Sequence, residues 1–106
     1  MFTIVKDFRQ ETVIEKSRFI CTLKKVENEA QAQEFIKNIK KEFWDATHNC
    51  SAYIIDDLAQ RSSDDGEPSG TAGLPMLEVL RKNKLTNTAA VVTRYFGGIK
   101  LGAGGL

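Results

Sequence analysis

Residues 62–73 read SSDDGEPSGTAG and hold no large apolar side chain. Such a stretch has little apolar surface to remove from water, so it cannot build a core. The core must come from the blocks on either side, with this stretch carried between them as a surface loop. A second glycine-rich stretch, FGGIKLGAGGL, follows the last patterned block. Whether these two stretches meet decides whether the chain has a site at one end.

The flanking blocks are strongly patterned. TVIEKS and RFICTLKKV are rich in β-branched and aromatic residues, with Phe19, Cys21 and Leu23 alternating, and they read as strands. MFTIV reads as an additional edge strand. Asn28 is placed to cap a helix, with Gln31 in the capping-box position. Ala32, Phe35, Ile36, Ile39 and Phe43 then recur at helical spacing, which predicts a helix over 29–43, with Lys37, Lys40 and Lys41 on its other face. Residues 49–55 form a short apolar strand, followed by a loop over 56–70. A second helix is expected to start between Thr71 and Pro75, since proline is tolerated only in the first turn. It should stop near Asn83. The run NTAAVVTRYF, 87–96, is the most β-like of all. Phe35, Ile36, Ile39, Ile54, Leu77, Leu80 and Val91 are the expected core.

A strand, a crossover helix and a second strand predict that 49–55 and 87–96 run parallel. Both glycine-rich stretches would then share the end of the domain where the second helix begins. Open α/β sheets place ligand crevices at the carboxyl ends of their strands. A helix N-terminus offers unpaired N–H groups to an anion, and glycine lets backbone approach closely. The candidate phosphate- or RNA-binding set is therefore Ser69, Gly70, Thr71, Gly97, Gly98, Gly102 and Gly104, with charge from Arg94 and Lys100. No acid follows Glu78, whereas Arg81, Lys82, Lys84, Arg94 and Lys100 do, although the net charge is only +1. The Lys-Ser/Thr pair of a nucleotide-binding P-loop is missing.

Other chemistry has thinner support. Asp64, Asp65 and Glu67 have two readings: a metal or general-base cluster, or turn formers, with Asp-Gly and Glu-Pro the expected loop dipeptides. His48 and Cys50 are too few for zinc, and no further histidine serves Ser62, Ser63 or Ser69. Trp44 is expected to cover the end of the first helix, and Tyr95 to pack or to line the site. No metal and no cofactor are expected. Cys21 and Cys50 make no CxxC, no apolar run reaches membrane-spanning length and no secretory segment opens the sequence, all of which point to the cytoplasm.

The stretches EKSRFI (15–20), HNCSAYII (48–55), SSDDGEPSGTAGLPMLEVL (62–80) and VVTRYFGGIKLGAGGL (91–106) together resemble the N-terminal domain of the IMPACT family, the bacterial YigZ/YvyE-like proteins. The resemblance implies an α+β fold of the ribosomal protein S5 domain 2-like type. That is a two-layer sandwich with helices on one face of a mixed sheet, and with a left-handed crossover. It also implies that residues 1–106 are one IMPACT-type N-terminal domain, lacking its last helix and any second domain, with an apolar patch left open. Its implied setting is translation.

Two functions from different classes follow. The first is a non-enzymatic, translation-related module that binds RNA or a ribosome-associated partner through the positive, glycine-rich crevice. The alternative is an enzyme acting on a phosphorylated small molecule at the same crevice, with Asp65 or Glu67 as base or metal ligand. A protein-interaction domain with purely structural loops is a third reading.

Overall fold

The computed structural model describes residues 6–67 and 70–96. Its elements in chain order are β1 (Phe8–Ile14), β2 (Ser17–Lys25), α1 (Glu29–Glu42), β3 (His48–Asp56), β4 (Ala59–Ser63), α2 (Gly73–Lys82) and β5 (Thr88–Phe96). The strands form one five-stranded sheet in the order β1-β2-β5-β3-β4. The α+β class is the one that the resemblance implies. MFTIV lies outside the described residues.

Local chemistry sets the elements. The β1–β2 hairpin turns at Glu15 and Lys16, both at positive φ. The Asn28 side chain accepts the N–H of Gln31, and the Gln31 side chain accepts the N–H of Glu27, so α1 starts where its cap residues direct. Pro75 falls in the first turn of α2, where its missing N–H costs nothing.

Three expectations about the sheet are corrected. First, residues 56–70 are not all loop: Ala59–Ser63 form β4, joined to β3 by a tight turn in which Asp56 Oδ1 accepts the N–H of Leu58 and of Ala59. Second, β3 and β5 are antiparallel, with His48 opposite Arg94 and Ile54 opposite Thr88. The inserted hairpin reverses the chain before α2, so β5 returns against β3 and parallel to β4. Every described pairing is antiparallel, where a mixed sheet was expected.

Third, the helices do not share a face. Alternate strand residues point to opposite sides of a sheet. Tyr53, Ala89 and Val91 pack with Ala32, Phe35 and Ile39 of α1, whereas Ala52 and Ile54 pack with Leu77 and Leu80 of α2. The sheet therefore carries one small core on each side, with β3 contributing to both.

Of the expected core residues, all but Ile36 are buried; Ile36 is half-buried against the α1 core. Trp44 covers nothing: it is 81% exposed. Phe43 takes the inward position instead, packed against the α1 core.

Two substitutions check this packing. Ile39→Ala should cost roughly 2–5 kcal/mol in denaturant melts, because it opens a cavity under α1; a loss below about 0.5 kcal/mol would contradict the burial of that face. Gly73→Ala separates packing from propensity. Alanine is about 1 kcal/mol better than glycine in a helix. A Cβ at Gly73, however, would sit 2.7 Å from the Ser63 backbone nitrogen and 2.8 Å from its carbonyl carbon. The variant should lose roughly 1–3 kcal/mol through overpacking, and a gain in stability would show that α2 does not press on β4.

Candidate functional site

The end of the sheet where β3 begins is also where β4 and β5 finish. Ser63 lies opposite Ser51 and Arg94 opposite His48. The loop leaving β4 is therefore brought to the end of β5, as the sequence reading expected, but by an antiparallel route. Among the described residues the meeting is direct, because Glu67 of the loop contacts Arg94 of β5. Gly97, Gly98, Lys100, Gly102, Gly104 and Ser69 lie outside the described residues.

Asp64 organises the loop. Its Oδ1 accepts the N–H of Gly73 at 2.7 Å and of Ala72 at 3.0 Å, and its Oδ2 accepts that of Gly70 at 2.8 Å. Ala72 stands at the N-cap of α2 and has no side chain to do this. Asp64 thus acts as a remote cap, satisfying the amides that a helix leaves unpaired. These amides, Gly73 first, hold its carboxyl below the usual aspartate range. Gly70 is at φ +79, where glycine is favoured.

The next acids are also engaged. Asp65 Oδ2 accepts the N–H of Asn49 at 2.6 Å, and Oδ1 lies 3.5 Å from Lys40 Nζ. The Asp65 carbonyl meets His48 Nδ1 at 2.9 Å, so that ring nitrogen carries the proton and donates. Glu67 is nearly buried. Its Oε1 accepts from Arg94 Nη1 at 3.2 Å, and its Oε2 is 3.2 Å from the Cys50 thiol. The Arg94 guanidinium lies 4.0 Å from the Phe96 ring centroid and 5.5 Å from that of Phe19.

Arg94, Glu67, Cys50, Thr71, Ala72 and Met76 line a cleft of about 230 Å³ on the α2 side of the sheet. Burial, and then the neighbouring Glu67, push the Cys50 thiol up to about 12, so it stays protonated at neutral pH and is no nucleophile. Among the described residues no group of three His, Cys, Asp or Glu side chains is placed to hold a metal.

Of the candidate residues, the structure brings Arg94, Glu67 and Thr71 to one cleft, while Gly70 is bonded through its N–H to Asp64. Asp65 faces away, toward α1. The helix N-terminus expected to receive an anion is already filled by Asp64. Sequence reasoning missed that role because Asp64 lies nine residues before Gly73, far outside the spacing of a local cap. It also missed the Cys50–Glu67 contact, which exists only once β3 and the loop are folded together.

The Impact N-terminal domain family model matches residues 15–106. YvyE of Bacillus subtilis (strain 168) is 66% identical over 107 residues, covering 99% of this chain and 49% of that protein. YigZ of Escherichia coli (strain K12) is 46% identical over 97 residues, covering 88% of this chain and 48% of that protein. The chain thus spans about half the length of these relatives. A crystal structure of a protein described only as hypothetical superposes with a TM-score of 0.86 at 39% identity, covering 97% of this chain and 52% of that one. The two-domain translational regulator Yih1 has the same fold, with a TM-score of 0.65 at 23% identity over 92% of this chain and 40% of its own. With the family model spanning both glycine-rich stretches and most of the sheet, this chain belongs to the IMPACT family, through its N-terminal domain.

Proposed function

We propose that the chain is a non-enzymatic, translation-related module that binds RNA or a ribosome-associated partner. One observation carries the non-enzymatic part. Each acid of the loop is bonded within the molecule: Asp64 to three amides, Asp65 to Asn49 and Lys40, Glu67 to Arg94 and Cys50. Bonds of this kind hold a conformation, and they fix each carboxylate against its own chain rather than toward a substrate. The family and the fold shared with a translational regulator support the translation-related part. Among the described residues no helix is long and apolar enough to cross a membrane, and a cytoplasmic setting fits a translation-linked role.

The proposed contact is the end where the loop, α2 and β5 converge. Arg94 supplies charge there, Thr71 lines it, and the proposed contact also takes in Gly70, Lys100 and its neighbouring glycines. Arg94 already shares its charge with Glu67. A phosphate would therefore join or displace that carboxylate, and the site would bind weakly and in a salt-dependent way. The enzyme reading, with Asp65 or Glu67 as base, requires an acid already engaged by two partners to accept a proton as well. The protein-interaction reading needs only the loop's shape.

Titrating ribosomal RNA or ribosomes across salt concentrations separates these readings. Arg94→Ala with Lys100→Ala should weaken association and flatten the slope of log affinity against log salt by roughly 1–2. Asp65→Asn with Glu67→Gln should leave association no weaker, because it removes the carboxylate that competes for Arg94, in protein shown to be folded by circular dichroism. An unchanged slope in the basic double variant overturns the proposed contact. Turnover of a phosphorylated small molecule that disappears in the acidic double variant would establish the enzyme reading instead.

A further inference from the structure

The arginines of this chain fall into two groups. Arg9, Arg18, Arg81 and Arg94 each pair with a carboxylate, respectively Glu42, Glu11, Glu78 and Glu67. Arg61 has no such partner among the described residues. It stands exposed on β4, the edge strand, opposite Tyr53 of β3. Across from it, on the last turns of α1, are Lys37, Lys40 and Lys41. Lys40 reaches Asp65, while Lys37 and Lys41 make no ion pair among the described residues.

These side chains line a groove of about 580 Å³ between α1 and β4, and among the described residues no acidic side chain lines it. Its mouth holds Trp44, 81% exposed. The groove is on the α1 side of the sheet, away from the Arg94 cleft. A surface that collects unpaired cations pays in mutual repulsion, and an indole left in water forgoes its burial energy. Both costs are recovered if one ligand supplies anions and a flat ring together.

We infer that this groove binds a single strand of RNA. Lys37, Lys41 and Arg61 contact phosphates, the Ser63 hydroxyl borders their path, and a base stacks on Trp44. A nucleic-acid strand provides one anion and one flat base per unit, which is the pairing the groove displays. A duplex keeps its bases stacked on each other and out of reach of Trp44. An acidic peptide would match the cations and leave the indole without a flat partner. The inference rests on the RNA part of the function proposed above and assigns that binding to a second surface.

Trp44 is the only tryptophan in the chain, so its fluorescence reports the stacking directly. The test titrates the chain with a single-stranded uridine oligomer of about 12 nucleotides, a length within the usual single-strand site sizes. Saturable quenching is expected, with a salt slope of about −2 from three cations. Trp44→Ala, followed by fluorescence of a dye on the oligomer, should weaken binding about 5- to 150-fold, with Trp44→Phe in between. Lys37→Gln, Lys41→Gln and Arg61→Gln together should weaken it at least as much and remove most of the slope; all three side chains are exposed, so the fold should persist. Unchanged affinity in both groove variants overturns the inference. If Arg94→Ala with Lys100→Ala then lowers affinity, the function stands and only the groove assignment falls; if the unaltered chain binds no oligomer, the RNA reading of both surfaces falls. Equal quenching by polyglutamate would reassign the groove to an acidic protein and also overturn the inference.

Discussion

The carboxylate of Asp64 holds the end of this domain together. It gathers the amides of Gly70, Ala72 and Gly73 into one cluster and so decides where α2 begins. Gly73 is pressed against the Ser63 backbone, closer than any side chain would allow. Loop, helix start and edge strand are therefore set by one acid and one glycine. From that position the chain delivers Asp65 to Asn49 and Glu67 to Arg94. In a stretch without large apolar side chains, the acids are bonded to backbone amides and to a partly buried guanidinium, which count for more than exposed ion pairs.

The second constraint is the central strand β3. Its alternate residues face different helices, so one strand divides the interior into an α1 core and an α2 core. The same alternation separates the two surfaces of interest. The Arg94 cleft opens beside α2, and the basic groove beside α1. The loop passes between them, with Glu67 engaged on one side and Asp65 with Lys40 on the other. Charge is internally neutralised in the cleft and left open in the groove. Composition alone, with a net charge of +1, conceals this difference.

Legibility in the sequence followed the range of the interactions. The α1 helix could be read to within a residue or two, because its cap and its apolar spacing are local. So could β5, in which Ala89, Ala90 and Val91 are buried on both faces of the sheet. The β4 strand could not: AQRSS is polar because it is an edge strand, and its turn is Asp-Leu rather than a glycine turn. Missing that one hairpin turned an antiparallel pair into an expected parallel one. It still left the two ends together, since a helix returning over the sheet brings the chain back either way. Asp64 as a remote cap, Trp44 as an exposed ring and Arg61 as an unpaired cation depend on contacts between distant residues, and no local pattern announces them.

The account rests on the acids of the loop being spent on structure, Asp64 above all. A carboxyl-carbon NMR titration of the chain, with the amides of Gly70, Ala72 and Gly73 followed in parallel, tests this most directly. The Asp64 carboxyl should titrate below the ordinary aspartate value of about 3.9, and the three amide signals should shift with that same midpoint. A midpoint at or above the ordinary value, or amides that do not respond to it, would show that the carboxylate is free and that something else holds the loop.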